Sequence, residues 1–310
     1  MADLMIGATN LTKVYNGKTV VNKVNLEIER GAIVGLVGQN GAGKTTLIRM
    51  LTGLVKPTSG SFTLLSGQTR RDNDIAAIVE RPSIYTNLSA MDNLVAQCQL
   101  LGIAADRQYL AKTLSLVGLE DAPKKPAKNF SLGMKQRLAI AMTLVGRPQL
   151  LLLDEPTNGL DPQGIFDMRE VFVKLNRELG VTILVSSHIL SELGKFATEF
   201  YIMDKGKILE RVTAEQLSEA ASKRVRLKVD DAEKTAEALK QYGKTSVSEN
   251  GEVDLYADVP VTEVMLTLAQ QGVTVLGVQQ TTDELEEYYI NLIKRERQAK
   301  IDLNDGGTRQ

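Results

Sequence analysis

Between the apolar run "AIVGLV" and the helical pattern "KTTLIRMLTGL", Gly38, Gly43, Lys44 and Thr45 stand at the spacing G-x-x-x-x-G-K-[ST]. Glycines there let the backbone curl so that successive N–H groups converge on one point. The positive end of the following helix adds to their attraction for an anion. Gln39, Asn40, Gly41 and Ala42 complete the loop. Lys44 is placed to reach the β- and γ-phosphates of a nucleotide, and the Thr45 hydroxyl to ligate Mg²⁺. Thr46, one residue deeper, is placed to bond on the α-phosphate side. Residue types and spacing together describe a cradle for a nucleoside triphosphate.

A second segment, "QLLLLDEPTNGLDP", reads as a fully buried strand over residues 150–153 that ends in two acids. An acid at the C-terminal end of a parallel strand lies at the sheet edge where ligands bind. Asp154 is therefore expected on the Mg²⁺ side, and Glu155 one step further, toward an attacking water. A third segment, "GVTILVSSHIL", carries His188, the one histidine of the chain, where another buried strand stops. The residues after it, "ILSELGKF", have helical spacing.

The rest of the chain must position these groups. Its 310 residues suggest two domains, and a hydrophobic share of 43% is ample for a real core. A net charge of −1 and a pI near 6.1 argue against holding nucleic acid by bulk electrostatics. The single Cys98 excludes an internal disulfide and fits a reducing compartment. No apolar run is long enough to cross a bilayer, and "MADLMIGATN" lacks the features of a secretion signal, so a cytoplasmic protein is expected. Residues 5–30 and 60–75 alternate apolar and polar, which predicts a small antiparallel sheet beside the main parallel one. Residues 86–145 are mostly helical in pattern. After "YIMDKGKILERVTAEQL" the order strand, helix, two strands, helix, strand predicts a compact split-βαβ domain. A last helix, "TDELEEYYINLIKRERQ", sets Leu285, Tyr288, Tyr289, Leu292 and Ile293 on one side, as for docking or dimerisation, and "AKIDLNDGGTRQ" reads as a disordered tail.

With "GQNGAGKTT", "FSLGMKQRL", "LLLLDEPTNGLDP" and "SSH" in this order and spacing, the chain resembles the nucleotide-binding subunit of an ATP-binding-cassette (ABC) transporter over about residues 5–210. The resemblance implies an α/β phosphate-loop core with an antiparallel β subdomain and a helical subdomain, and the split-βαβ pattern adds a small α+β, ferredoxin-like domain after it. The domains are then 1–212 for the nucleotide and 213–293 as an accessory, with 294–310 as the tail. It implies a catalytic pair: Glu155, and His188 contacting the γ-phosphate and holding water and glutamate. Tyr15 matches the aromatic that stacks on adenine, with Val20 beneath it. Ser131 and Gly133 keep the phosphate-binding positions of the family's signature, while Leu132 and Met134 replace its first glycine and its glutamine. Because one copy's signature closes the ATP held by the other's phosphate loop, a second ATP-binding subunit is implied, with Asp161 at the dimer interface. A membrane permease is the other implied partner, which would hold this chain at the cytoplasmic face of the membrane, and no nucleic acid is expected.

One position departs from the common pattern. Where most such subunits carry a glutamine touching Mg²⁺ and water, this chain has Glu80, in "IVERPSIYTN". Glu80, Pro82 and "FSLGM" resemble the bacitracin and lantibiotic exporter ATPases, which implies ATP hydrolysis driving export of a peptide antibiotic or similar amphipathic compound. ABC ATPases of translation or DNA repair, and other multidrug or lipid exporters, are the alternatives. A switch that binds ATP without turnover is disfavoured by the intact Glu155 and His188.

Overall fold

In the computed structural model, residues 3–65, 73–80, 83–122, 124–220, 223–248, 250–257, 259–282 and 288–295 are described. The chain divides into two compact units, residues 1–213 and 214–310.

The first unit opens with strands β1 (Leu4–Tyr15) and β2 (Lys18–Glu29), joined at Asn16 and Gly17. Both turn residues have positive φ, 47° and 78°, as a two-residue hairpin with right-handed strand twist demands. Strand β3 (Ile33–Val37) then enters the main sheet and leads through the phosphate loop into helix α1 (Lys44–Leu51). Strand β4 (Ser59–Leu64) pairs antiparallel with β1, completing a sheet of order β2-β1-β4. The expectation for residues 60–75 holds through Leu64, and residues 66–72 lie outside the described residues. Ile75 opens β5 (Ile75–Ile78), which pairs in parallel with the leucine strand of the main sheet. A short apolar run satisfies either sheet locally; the partner strand decides.

Three capped helices follow: α2 (Ala90–Leu100) behind Ser89, α3 (Arg107–Leu116) behind Asp106, and α4 (Leu132–Leu144) behind Ser131. Each capping oxygen accepts from a first-turn N–H that has no partner inside its own helix. Strand β6 (Leu150–Leu153), helix α5 (Pro162–Leu179) and strand β7 (Thr182–Ser187) complete the centre. Helix α5 buries Met168, Val171, Phe172 and Leu175, one stripe of helical period. The helical spacing after His188 yields a single turn, α6 (Leu190–Leu193), stopped before Phe196 stacks on Phe172 at 5.7 Å. Strands β8 (Glu199–Asp204) and β9 (Lys207–Thr213) close a six-stranded sheet of order β5-β6-β7-β3-β8-β9. All its pairs are parallel except β8 with β9. Every residue of β3, β6 and β7 is buried, which is why these strands read as apolar runs rather than alternations. They lie side by side with Val37 opposite Ser187 and Leu153 opposite Val185, so their C-terminal ends meet at one edge.

The second unit contains α7 (Ala214–Ala220), β10 (Lys223–Val229), α8 (Ala232–Leu239), β11 (Lys244–Val247), β12 (Glu252–Tyr256), α9 (Val261–Gln270) and β13 (Val275–Thr282). Its strands form an antiparallel sheet of order β11-β12-β10-β13. Alternate residues Val225, Leu227, Val253 and Leu255 meet Leu239, Val264 and Leu268 in a core of its own. Residues 288–295 are helical, with Tyr289 and Ile293 buried. Leu285 and residues 296–310 lie outside the described residues.

Candidate active site

The phosphate loop connects β3 to α1, and its glycines are there for space as well as conformation. A Cβ on Gly38 would lie 2.4 Å from the carbonyl oxygen of Met203 and 2.9 Å from the methyl of Ala42. Gly41 and Gly43 have φ of 84° and 111°, and a Cβ on Gly43 would meet the Val20 carbonyl at 2.8 Å. Val20 thus lies against the loop through its backbone, a contact between β2 and the core. Gly38 donates its N–H to Ser187 O at 3.2 Å, tying the loop to the end of β7. Gln39, Asn40 and Gly41 are exposed and Ala42 is buried. Helix α1 begins at Lys44 without a side-chain cap, so its first-turn N–H groups face the loop's concavity together with half-buried Thr45 and Thr46.

Lys44 is 5% exposed, and its Nζ donates to Gly38 O at 2.5 Å. The same ammonium lies 3.0 Å from Glu155 Oε1, a Coulombic contact out of line for a hydrogen bond. The other oxygen, Oε2, lies 2.9 Å from His188 Nδ1. An ionised carboxylate only accepts, so Nδ1 carries the proton of this bond and Nε2 is left for another partner. Glu155 itself has φ of 48°. Its N–H donates to Ser186 Oγ at 2.9 Å, and that hydroxyl donates to Asp154 Oδ1 at 2.8 Å. Asp154 is buried, its N–H bonded to Ile78 O at 2.9 Å on β5. Lys44, Asp154, Glu155 and His188 are thus brought together from three adjacent strand ends. The oxygens of Thr45 and Asp154 are the hard donors that Mg²⁺ prefers, and two protein ligands beside nucleotide phosphates is its usual arrangement.

Glu80 reaches the rim of this site. With Ile78, Gln136, Asp154 and Glu155 it lines a narrow cavity, while its own carboxylate pairs with Arg49 of α1 at the surface. Pro82 lies outside the described residues. Gln136, one turn into α4, places its Oε1 in the same region, buried and with no hydrogen-bond partner among the described residues. Neither Gln136 nor Ser186 was given a role by the sequence, although Gln136 stands in "FSLGMKQRL" and Ser186 in "SSH". The one available signal for Ser186 was the pair of hydroxyls that closes "TILVSS".

The signature lies against a different segment. Ser131 Oγ caps α4 by accepting the Met134 N–H at 3.2 Å. The atoms nearest to a Cβ on Gly133 belong to Leu160 and Gly164, at 3.6 and 4.0 Å. Asp161 caps α5 at Gly164, with Leu132 exposed beside that turn. Tyr15 is exposed at the end of β1, with the Lys13 ammonium 4.9 Å from its ring centre.

A parallel sheet whose strand ends carry a phosphate loop, a paired acid and a histidine defines a phosphate-loop ATPase. The model of the ABC transporter family matches residues 21–158. The chain is 38% identical to the bacitracin transport ATP-binding protein of Bacillus licheniformis, over 93% of this chain and 97% of that one. It is 46% identical to the lantibiotic transport ATP-binding protein of Streptococcus pyogenes, over 66% of this chain and 89% of that one. Among solved structures, CbiO1 from Clostridium perfringens, part of an ABC transporter complex, superposes with a TM-score of 0.64. It is 27% identical and covers 69% of this chain and 90% of its own. The chain belongs to the ABC transporter ATP-binding proteins: it is the ATP-binding ATPase subunit of a transporter, related to bacitracin and lantibiotic transport ATPases. Among the described residues no helix is long and apolar enough to cross a membrane.

Proposed function

We propose that this ATPase pairs with a second ATP-binding subunit, most simply its own copy, and hydrolyses Mg·ATP to drive export of a peptide antibiotic or similar amphipathic compound. The observation that carries the chemistry is the Glu155 carboxylate held between Lys44 and His188 at the mouth of the phosphate loop. In this reading the loop N–H groups and Lys44 bind the phosphates, and Lys44 leaves Glu155 for them as nucleotide enters. Glu155 then accepts the proton of the attacking water, while His188 keeps its carboxylate aimed through Nδ1–H and lies beside the γ-phosphate. Thr45 and Asp154, with Glu80 at the rim, would hold Mg²⁺, and the metal would supply neutralisation of phosphate charge there. Tyr15 stacks on adenine with Val20 beneath it.

The first turn of α4, with Ser131, Gly133 and Met134, approaches Leu160 and Gly164 on either side of Asp161 through Gly133, and that proximity supports their closing together on the partner's nucleotide. The sheet order of the second unit supports a ferredoxin-like accessory domain over residues 213–293, after a nucleotide domain of 1–212. The relatives' names support the cargo class, and a permease partner supports a place on the cytoplasmic face of the membrane. The test is co-expression with a permease that copurifies with this chain, in a sensitive bacterium. Resistance to bacitracin or a lantibiotic is expected with the native chain and not with Glu155→Gln. Equal sensitivity to all such peptides, in cells where the complex assembles and turns over ATP, would overturn the cargo.

A further inference from the structure

Ser186 is wholly buried on β7, directly after Ile183, Leu184 and Val185 and opposite Leu36 of β3. A hydroxyl in such a place is costly unless both its donor and acceptor capacities are used. Here both are, and on consecutive acids: the proton goes to Asp154 Oδ1 at 2.8 Å, and the oxygen receives the Glu155 N–H at 2.9 Å. The register explains the reach, since Leu153 lies opposite Val185 and the next pair along is Asp154 with Ser186.

We infer that Ser186 is a positioning residue for hydrolysis, one hydroxyl that sets the two acids relative to each other. This rests on reading Asp154 and Glu155 as the metal-side acid and the base. By occupying Oδ1, Ser186 fixes the carboxylate plane of Asp154 and leaves Oδ2 as the oxygen to offer a cation. By holding the Glu155 N–H, it stabilises a left-handed backbone that a residue with a Cβ otherwise avoids. That backbone is what sends the Glu155 side chain between Lys44 and His188 rather than along the strand direction. Removing the hydroxyl frees both acids at once: Asp154 rotates, and the Glu155 peptide relaxes toward ordinary φ. Groups of this kind, which orient ligands and catalytic acids without touching substrate, change metal affinity or activity by about 10–100-fold when lost.

The test compares the full-length native chain with Ser186→Ala, Ser186→Thr, Ser186→Val and Glu155→Gln. Each is measured for Mg·ATPase rate against Mg²⁺ and ATP concentration, ATP affinity without Mg²⁺, and thermal unfolding. Ser186→Ala is expected to bind metal-free ATP within about threefold of the native chain, to lose about 10–100-fold in kcat, and to need severalfold more Mg²⁺ for half-maximal rate. Ser186→Thr, which keeps the hydroxyl, should recover most of this, and Ser186→Val, of the same shape without it, should not. A lower melting temperature with unchanged kcat and Mg²⁺ dependence would overturn the inference, leaving a packing role only. Should Ser186→Ala not fold, the Thr and Val pair decides, and equal rates in those two would also overturn it. Glu155→Gln separates the two levels: if it turns over ATP normally, the reading of the acids fails. If it is inactive while Ser186→Ala is normal, only the role of Ser186 fails.

Discussion

His188 Nδ1 lies 2.9 Å from Glu155 Oε2, although the two residues follow different strands and stand 33 positions apart. The remaining Glu155 oxygen faces the Lys44 ammonium. One carboxylate is thereby held at both ends, by groups that belong to the phosphate loop and to the end of β7. Glu155 carries no spare freedom, and the consequences of changing any member of the trio differ.

Glu155→Gln keeps the shape and removes the base. ATP binding should persist while turnover falls by about 100- to 10,000-fold, the usual range of general-base effects. The variant should collect as an ATP-bound dimer, read by size exclusion with and without nucleotide. Hydrolysis at the native rate would sink the assignment.

Lys44→Ala removes a buried partner of the phosphates. A charged hydrogen bond contributes about 1.5–3 kcal/mol, so ATP affinity should drop by about 10–100-fold. Titration calorimetry reads this directly, and an unchanged dissociation constant would contradict the cradle.

Glu80 forms its ion pair with Arg49 at the surface, where the carboxylate is mostly exposed. Such pairs contribute only about 0–1 kcal/mol, so the carboxylate can turn to the nucleotide at little cost. Glu80→Gln should bind ATP at least as well as the native chain, having one negative charge fewer near the phosphates, and shift the Mg²⁺ dependence of the ATPase. Glu80→Ala should lose more turnover, having no side-chain oxygen. Three coincident rate curves, with and without permease, would leave Glu80 as a partner of Arg49 alone.

Tyr201 joins the two sheets of the first unit: its hydroxyl donates to Glu27 O at 2.6 Å and accepts the Glu27 N–H at 3.1 Å. Burial pushes its phenol up to about 12 from the ordinary 10.0. A folded-state value above the unfolded one means that its stabilisation is complete below about pH 10 and is lost as pH rises toward 12. The loss should be on the order of 2 kcal/mol. Tyr201→Phe should cost about 1–3 kcal/mol at neutral pH and flatten this alkaline decline. Urea unfolding of both proteins across that window is the measurement. Parallel declines would assign the alkaline loss to other groups.

Deleting residues 214–310 removes the second unit and none of the site residues named above. The remaining chain should fold and bind ATP with native affinity, checked by circular dichroism and calorimetry. A folded fragment that cannot bind would show that the second unit builds part of the site.

The phosphate loop, the acids after the leucine strand and the histidine after "TILVSS" were legible without a structure. Each is a local arrangement, in which glycine conformation, a helix end and a strand end place the groups within a few residues of one another. The strand and helix order of the second unit was legible for the same reason, since period and turn residues are local signals. What only the tertiary structure decided is which strand lies beside which. Strands buried on both faces all read as similar apolar runs, so nothing in "LLLL" or "TILV" names a neighbour. Sheet order and register put Ser186 beside Asp154, His188 beside Glu155, the Val20 carbonyl against Gly43, and β5 in the parallel sheet. Those contacts follow from burying whole strand faces together, a collective condition of the core that no single stretch of residues expresses.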